Sequence, residues 1–126
     1  MKKIINTSNA PAPIGPYSQA VLANGFLYVS GQIPINPATG ELSKDSIKAE
    51  TEQVMRNLNA VLMEAGFEFK HIIKTTIFLS DMALFNEVNE VYAGYFKSEF
   101  PARETVAVKG LPKAVNVEIS VIAYKG

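Results

Sequence analysis

The chain has 126 residues, a common length for one domain, and just under half of them are apolar, enough for one hydrophobic core. Its twelve basic and twelve acidic residues balance, which argues against tight nucleic-acid binding, because that affinity comes mainly from phosphate neutralisation. No apolar segment approaches the roughly 20 residues that span a bilayer, and the polar N-terminus lacks the apolar core of a signal peptide, so we expect a cytoplasmic protein.

The first predicted elements are short strands joined by a tight turn. A strand at 3–5 precedes a hairpin, because Asn24-Gly25 lies between "AVLA" and "FLYVS" and readily takes positive φ at both positions. The segment "GQIPINPATGE" that follows Ser30 is rich in glycine and proline and is typical of an irregular loop.

A helix and a buried strand come next. Asp45 or Ser46 can cap the helix, the apolar residues of segment 47–65 fall on one face, and Gly66 follows as a stop. The β-branched segment "HIIKTTIFLS" then predicts a strand that is buried in a sheet.

A second helix and two strands complete the chain. Asp81 can cap this helix, and Pro101 lies just beyond its predicted end. Its apolar residues follow at spacings of three and four: Phe85, Val88, Tyr92 and Phe96. The last two strands are predicted near 105–109 and 115–124.

Two amphipathic helices, each with one apolar face, predict an α+β fold in which both cover a single face of one mixed sheet. Alternation in the last strand directs Val117, Ile119, Val121 and Ala123 one way and Glu118, Ser120, Ile122 and Tyr124 the other. The second set is mixed in polarity, as expected for a subunit-facing or pocket-lining surface. We therefore expect one domain over 1–126 and an oligomer.

The chemistry open to this chain is limited by its composition. There is no cysteine, which removes disulfides, thiolate metal ligands and thiol nucleophiles, and the single histidine, His71, cannot by itself make a zinc site or a Ser–His–Asp triad. We therefore expect neither a metal nor a cofactor. Catalysis would depend on carboxylates, an arginine, hydroxyls, backbone groups and water.

Two charged residues in the last strands are candidates for such chemistry. Arg103 is one of only two arginines among twelve basic residues, and its planar guanidinium can hold a carboxylate by two hydrogen bonds. Alternation places Arg103 and Thr105 on one face of their strand and Glu104 on the other. Glu118 is the one carboxylate within an otherwise uncharged strand. A solvated arginine and an edge-strand charge that discourages aggregation remain the alternatives for Arg103 and Glu118.

Three further residues have structural interpretations of their own. Tyr17 follows a Gly-Pro turn, Asn89 lies within a helix where a solvated position suits it, and Gly31 can serve a turn. The sequence contains neither a phosphate-binding glycine motif nor the spacing of metal ligands.

Several motifs together resemble one known family. The segments "IGPYSQA", "VSGQIP", "NPATGE", "KTTIFLSDM", "FNEVNEVYAGYF", "FPARETVAV" and "VEISVIA" occur in the order and spacing of the RidA/YjgF family of imine and enamine deaminases, from about Asn9 to Tyr124. The resemblance implies a chorismate-mutase-like fold, in which three subunits pack their open sheet faces into a central barrel. It also implies an active site in the cleft between subunits.

The same resemblance implies roles for individual residues. Arg103 would clamp the substrate carboxylate, and Glu118 would position or activate the attacking water. Tyr17 would line the pocket, Asn89 would lie near it, and Gly31 would offer backbone polar groups.

The chain departs from the family pattern at two positions. Thr105 stands where many members have a cysteine, and the contribution there comes from the backbone, so threonine should be tolerated. Glu104 replaces a small polar residue.

The implied activity is that of a 2-iminobutanoate/2-iminopropanoate deaminase. Short enamines such as 2-aminoacrylate and 2-aminocrotonate, together with their imines, would be hydrolysed to 2-keto acids and ammonia. Two other classes remain open. One is a regulator that binds keto or amino acids, and the other is a ribonuclease-type translation inhibitor, against which the zero net charge and lone histidine weigh.

Overall fold

The computed structural model describes residues 1–126 and contains one six-stranded sheet and two α-helices. The strands are β1 (Lys3–Ile5), β2 (Ala20–Ala23), β3 (Phe26–Gln32), β4 (Ile72–Leu79), β5 (Ala102–Ala107) and β6 (Val117–Tyr124). The helices are α1 (Ile47–Glu64) and α2 (Phe85–Ala93). Across the sheet the order is β1-β2-β3-β6-β4-β5, with only β4 and β5 parallel. The predicted α+β class and mixed sheet are confirmed.

The predicted hairpin joins β2 to β3. Asn24 has φ 52° and Gly25 has φ 84°, the left-handed conformations that a two-residue turn of matching twist requires. The antiparallel register runs from Ala20 opposite Val29 to Ala23 opposite Phe26.

Both helices pack on one face of the sheet, as predicted. Ser46 caps α1 by accepting a hydrogen bond from the Ala49 amide at 3.0 Å, and Gly66 follows the helix with φ 80°. Apolar residues of α1, α2 and the sheet share one buried cluster, and every second residue of β6 from Val117 to Ala123 belongs to it. The residues between them are half-buried, so the opposite face of the sheet is open. Neither helix combines the length and apolarity needed to cross a bilayer.

The second helix is shorter than predicted. Asp81 caps a 3-10 turn (Met82–Leu84) that leads into α2, and α2 ends at Ala93 with Gly94 as its cap. Phe96 lies beyond the helix, yet its ring centroid is 4.9 Å from that of Tyr92. The apolar spacing continues past the end of α2 because Phe96 packs against the ring of Tyr92.

The last two strands also differ slightly from their predicted limits. β5 begins at Ala102 and pairs with β4 so that Arg103 lies opposite Thr75, whereas β6 begins only at Val117. Between them a 3-10 turn (Pro112–Ala114) reverses the chain, with both Lys113 and Ala114 at φ 56°. Such left-handed conformations are uncommon for residues other than glycine and persist where the surroundings fix them.

Candidate functional site

Arg103 is held by one face of α2. Its Nη1 donates a hydrogen bond to Asn89 Oδ1 at 2.7 Å, and its Cζ lies 5.1 Å from the ring centroid of Tyr92 and 5.5 Å from that of Phe85. Phe85, Asn89 and Tyr92 are spaced four and three residues apart, so α2 presents them side by side. The two rings and the amide fix the guanidinium plane, while its other N–H groups have no partner within the chain.

A cavity of about 390 Å³ adjoins the Arg103 guanidinium at the edge strand of the sheet. Its lining consists of Asn89, Tyr92, Ala93, Phe100, Pro101 and Arg103. The hydroxyl of Tyr92 donates to Thr75 Oγ1 at 2.9 Å, which anchors the ring beneath the guanidinium. A fixed cation with free donors in a concave site suits a carboxylate or another planar anion.

Glu118 lies on the open face of the sheet, beside Gly31. The register of β3 against β6 shifts between Val29 and Gln32, so Gly31 sits at an irregularity directly against the Glu118 side chain. A β-carbon at position 31 would overlap the Glu118 carboxylate. Glycine at this position therefore makes room for the carboxylate, a specific reason that the turn interpretation did not supply.

The surroundings of Glu118 change its acidity. Partial burial raises the pKa of the Glu118 carboxyl above its ordinary value of 4.5, because desolvation disfavours the charged form. The adjoining cavity has a volume of about 580 Å³ and is lined by Ile14, Gly15, Tyr17, Ser30, Gly31, Ile33, Pro112, Lys113 and Glu118. A carboxylate with a raised pKa at a cavity wall can accept a proton from water and return it.

The predicted site residues fall into two groups within one chain. Tyr17, Gly31 and Glu118 line one cavity, whereas Arg103 and Asn89 line the other. On β4, Arg103 is registered against Thr75 and Glu118 against Phe78, so strand alternation sends the two side chains to opposite faces of the sheet. One chain alone does not bring Arg103 and Glu118 together.

The alternation predicted for β5 is found. Glu104 turns to the open face, where it lies 3.4 Å from Lys74 Nζ and accepts a hydrogen bond from Thr76, and it makes no contact with Arg103. Thr105 is on the same side as Arg103, and its Oγ1 is buried without a hydrogen-bond partner in the chain.

The residues that support the candidates are not among the predicted site residues. Phe85 and Tyr92 are predicted only as part of the apolar face of a helix, although their spacing from Asn89 is a usable signal. Ser30 and Lys113 line the cavity of Glu118 without any pattern in the sequence that would have selected them.

Comparison with known proteins places the chain in a family. The profile of the family described as Endoribonuclease L-PSP matches residues 7–125. The chain belongs to the RidA/YjgF family. The family resemblance seen in the motifs is thereby confirmed.

Members of the RidA/YjgF family from distant organisms are similar along the whole chain. A RutC family protein from Pyrococcus horikoshii is 54% identical over 125 residues, covering 99% of both chains. A Lactococcus lactis protein named AldR, whose name proposes a regulatory role, is 54% identical over 121 residues and 96% of each chain. The human protein named 2-iminobutanoate/2-iminopropanoate deaminase is 44% identical over 126 residues, covering all of this chain and 92% of its own.

Solved structures of family members have the same fold. YyfA of the Rid protein family from Yersinia pestis aligns with a TM-score of 0.96 at 53% identity, over 99% of this chain and 100% of that one. TdcF from Escherichia coli, solved with bound serine, aligns with a TM-score of 0.94 at 38% identity, over 98% of this chain and 99% of that one. The chain therefore has the chorismate-mutase-like fold of the RidA/YjgF family.

Proposed function

We propose that this protein is an imine deaminase that converts short 2-imino acids and their 2-amino-2-enoic tautomers into 2-keto acids and ammonia. The observation that carries the proposal is the Glu118 carboxyl, half-buried against Gly31 at the wall of a cavity and raised in pKa. The deaminase name of the human relative supports the reaction class.

The active site would be assembled from two copies of the chain. Arg103 and Glu118 face opposite sides of one sheet, and the Arg103 cavity lies at edge strand β5, where a neighbouring copy can bring its open face. That open face carries exposed apolar side chains, including Tyr28 and Val106, which an interface would bury. We infer a homotrimer whose open faces form a central barrel, with one shared site at each of its three interfaces.

Within such a site the guanidinium of Arg103 binds the substrate carboxylate and so fixes which face of the imine carbon meets Glu118. Asn89, Phe85 and Tyr92 hold the guanidinium in one orientation, so little entropy is lost when the substrate binds. Tyr17 lines the same cavity as Glu118. Thr105 would contribute through its backbone.

The chemistry requires only water and a proton carrier, because the imine carbon is already electrophilic. The reacting form is the protonated imine. Glu118 takes a proton from the attacking water as the C–O bond forms, and the C=N electron pair moves to nitrogen, giving a neutral carbinolamine. The proton on Glu118 then passes to the amino group. The C–N bond breaks and ammonia leaves, while the carbinolamine hydroxyl gives its proton back to the Glu118 carboxylate and becomes the keto oxygen. An enamine substrate first takes a proton from solvent at its terminal carbon to become this protonated imine.

A ligand-sensing regulator is the second candidate, favoured by the name of the Lactococcus lactis relative. The same cavities would bind a keto or amino acid, and the effect would pass to a partner. A ribonuclease role, implied by the description of the family profile, has less support. The single histidine, His71, accepts a hydrogen bond at Nδ1 from the Glu68 amide at 2.9 Å. This bond caps a 3-10 turn (Phe69–His71), so the imidazole has a structural role.

Turnover separates these functions. A pyridoxal-phosphate-dependent dehydratase can release 2-aminocrotonate in the cuvette, and the formation of 2-oxobutanoate is followed with and without the purified protein. We expect the protein to accelerate keto-acid formation beyond the spontaneous rate. Binding of 2-oxobutanoate without any acceleration would favour the regulator instead.

A further inference from the structure

The first helix carries a buried polar stripe that the proposed chemistry does not use. Glu50, Gln53 and Asn57 follow at spacings of three and four on one face of α1, and their exposed fractions are 1%, 7% and 1%. Buried polar groups need hydrogen-bond partners. Here those partners belong to two irregular segments that flank the Glu118 cavity.

Glu50 fixes the segment that leads into β6. Its Oε2 accepts hydrogen bonds from the backbone amides of Asn116 at 2.6 Å and Val117 at 3.1 Å, and its Oε1 accepts from Asn116 Nδ2 at 3.1 Å. Val117 directly precedes Glu118 in the chain. The Glu50 carboxylate therefore sets where the strand begins that presents Glu118.

The same contact stabilises a strained turn. Lys113 and Ala114, both at φ 56°, lie two to three residues before Asn116, and Lys113 lines the Glu118 cavity. Lys44 Nζ donates to the Ala114 carbonyl at 3.1 Å from the other side. Left-handed residues other than glycine persist only when neighbouring contacts fix them, and Glu50 supplies three of those contacts just after the turn.

Asn57 fixes a second segment of the cavity wall. Its Nδ2 donates to the carbonyls of Ile33 at 3.0 Å and Ile35 at 2.9 Å, and Ile33 lines the Glu118 cavity. Gln53 Nε2 donates to Asn57 Oδ1 at 3.0 Å, which turns the Asn57 amide group toward the loop, and Ser43 Oγ donates to Gln53 at 3.3 Å.

We propose that the polar stripe Glu50–Gln53–Asn57 is a positioning element for the active site, which holds both walls of the Glu118 cavity from the far side of the sheet. The inference rests on the proposed function. Apolar residues would hold α1 on the sheet as well or better, since buried charges add little net stability. Directional hydrogen bonds to two loops do what apolar packing cannot, because they select one geometry for the backbone beside Glu118.

The test uses substitutions that keep side-chain shape. Glu50→Gln retains volume but replaces one acceptor oxygen by a donor that faces amides, and Asn57→Asp removes both donors to the Ile33 and Ile35 carbonyls. Glu64→Gln and Asn59→Asp make the same chemical changes on the outer side of α1. Assays run far below the melting temperature of every variant, with kcat and KM measured separately.

We expect kcat to fall roughly ten- to a hundred-fold in the Glu50 and Asn57 variants, because a small displacement of a catalytic group costs that much. KM should change less than about threefold, since the Arg103 cavity is untouched. The two outer-side controls should match the wild type. Variants that melt earlier yet keep wild-type kcat would overturn the proposal, and so would controls that lose as much kcat.

A milder variant tests the proposal if the Glu50 and Asn57 variants do not fold. Asn116→Ala keeps both backbone bonds to Glu50 and removes the side-chain bond to it, together with the hydrogen bond that Ser80 Oγ donates to Asn116 Oδ1 at 2.7 Å. A fall in kcat of a fewfold is expected, and an unchanged kcat would count against positioning. If the wild type itself shows no turnover, the proposed function fails. The test is then the rate of amide hydrogen exchange at Asn116 and Val117, together with the NMR chemical shift of Glu118. The exchange rates and the chemical shift should change in Glu50→Gln but not in Glu64→Gln. An unchanged chemical shift of Glu118 would refute the inference.

Discussion

Arg103 and Glu118 face opposite sides of one sheet, separated by strand β4, which pairs with β5 on one side and with β6 on the other. β5 and β6 are two strand spacings apart, about 10 Å, and the two side chains point away from each other. Neither side chain can therefore reach the other without crossing the sheet. If both residues act on one substrate, they must come from different copies.

Mixed oligomers test that arrangement directly. Arg103→Ala and Glu118→Gln chains should each be inactive alone. When the two chains are unfolded together and refolded, a site is intact only if its arginine comes from one variant and its glutamate from the other. Random assembly should therefore restore about one quarter of wild-type activity. Mixtures as inactive as their components would place both residues of each site in one chain.

The size of the assembly is a separate prediction. The open sheet face carries Tyr28 and Val106, whose exposed fractions are 49% and 43%, and a monomer would leave this apolar surface in water. Light scattering should give a mass near three times 13.7 kDa at micromolar concentration. A stable monomer under those conditions would contradict both the barrel and the shared site.

Gly31 should be intolerant of a side chain because of Glu118. Gly31→Ala places a β-carbon where the Glu118 carboxylate lies, so the carboxylate must move. We expect an assembled protein whose kcat falls roughly ten- to a hundred-fold. Gly110→Ala is the matched control, because a β-carbon there meets no atom within 4 Å. Equal activity of the two alanine variants would remove the proposed reason for glycine at position 31.

The raised pKa of Glu118 predicts a pH profile. Glu118 accepts a proton only when ionised, so kcat should fall as pH drops through its pKa, and that acid limb should lie above the ordinary value of 4.5. The profile to measure is that of kcat, because it reports the pKa of Glu118 in the enzyme–substrate complex, where the bound substrate carboxylate offsets the positive charge of Arg103. An acid limb at or below 4.5 would mean that Glu118 is not the base, or that it is solvated in the assembly.

What the sequence could predict followed from short-range rules. The period of two in β5 and β6 was enough to separate Arg103 from Glu104 and Glu118 from the core, and Asn24-Gly25 was enough for the hairpin. These features need no knowledge of distant partners.

The remaining features depend on contacts between distant segments. The buried positions of Glu50 and Asn57 could not be predicted, because their partners lie 66 and 24 residues away and polar residues on a helix give no core signal. The relation of Arg103 to Glu118 required the strand order, which places β6 between β3 and β4 although it is last in the chain.

Arg103 should be needed for its planar guanidinium and not only for its charge. A shielded bidentate clamp is worth on the order of 2–4 kcal/mol, or roughly 30- to 1,000-fold in kcat/KM, so Arg103→Ala should nearly abolish deamination while the trimer persists. Arg103→Lys keeps the charge but replaces the planar fork with a point donor, and its ammonium loses the contacts that the guanidinium makes over the rings of Phe85 and Tyr92. It should recover only a small part of the activity and bind 2-oxobutanoate weakly.

Arg56→Lys is the matched control for this change, because Arg56 is the only other arginine and lies exposed on α1. It should retain wild-type kcat/KM. Full activity of Arg103→Lys would mean that two parallel hydrogen bonds to a carboxylate are not the reason for arginine at this position. The alternative of a solvated surface arginine would then be preferred, although it would leave the contacts of Arg103 with Asn89, Phe85 and Tyr92 without a functional explanation.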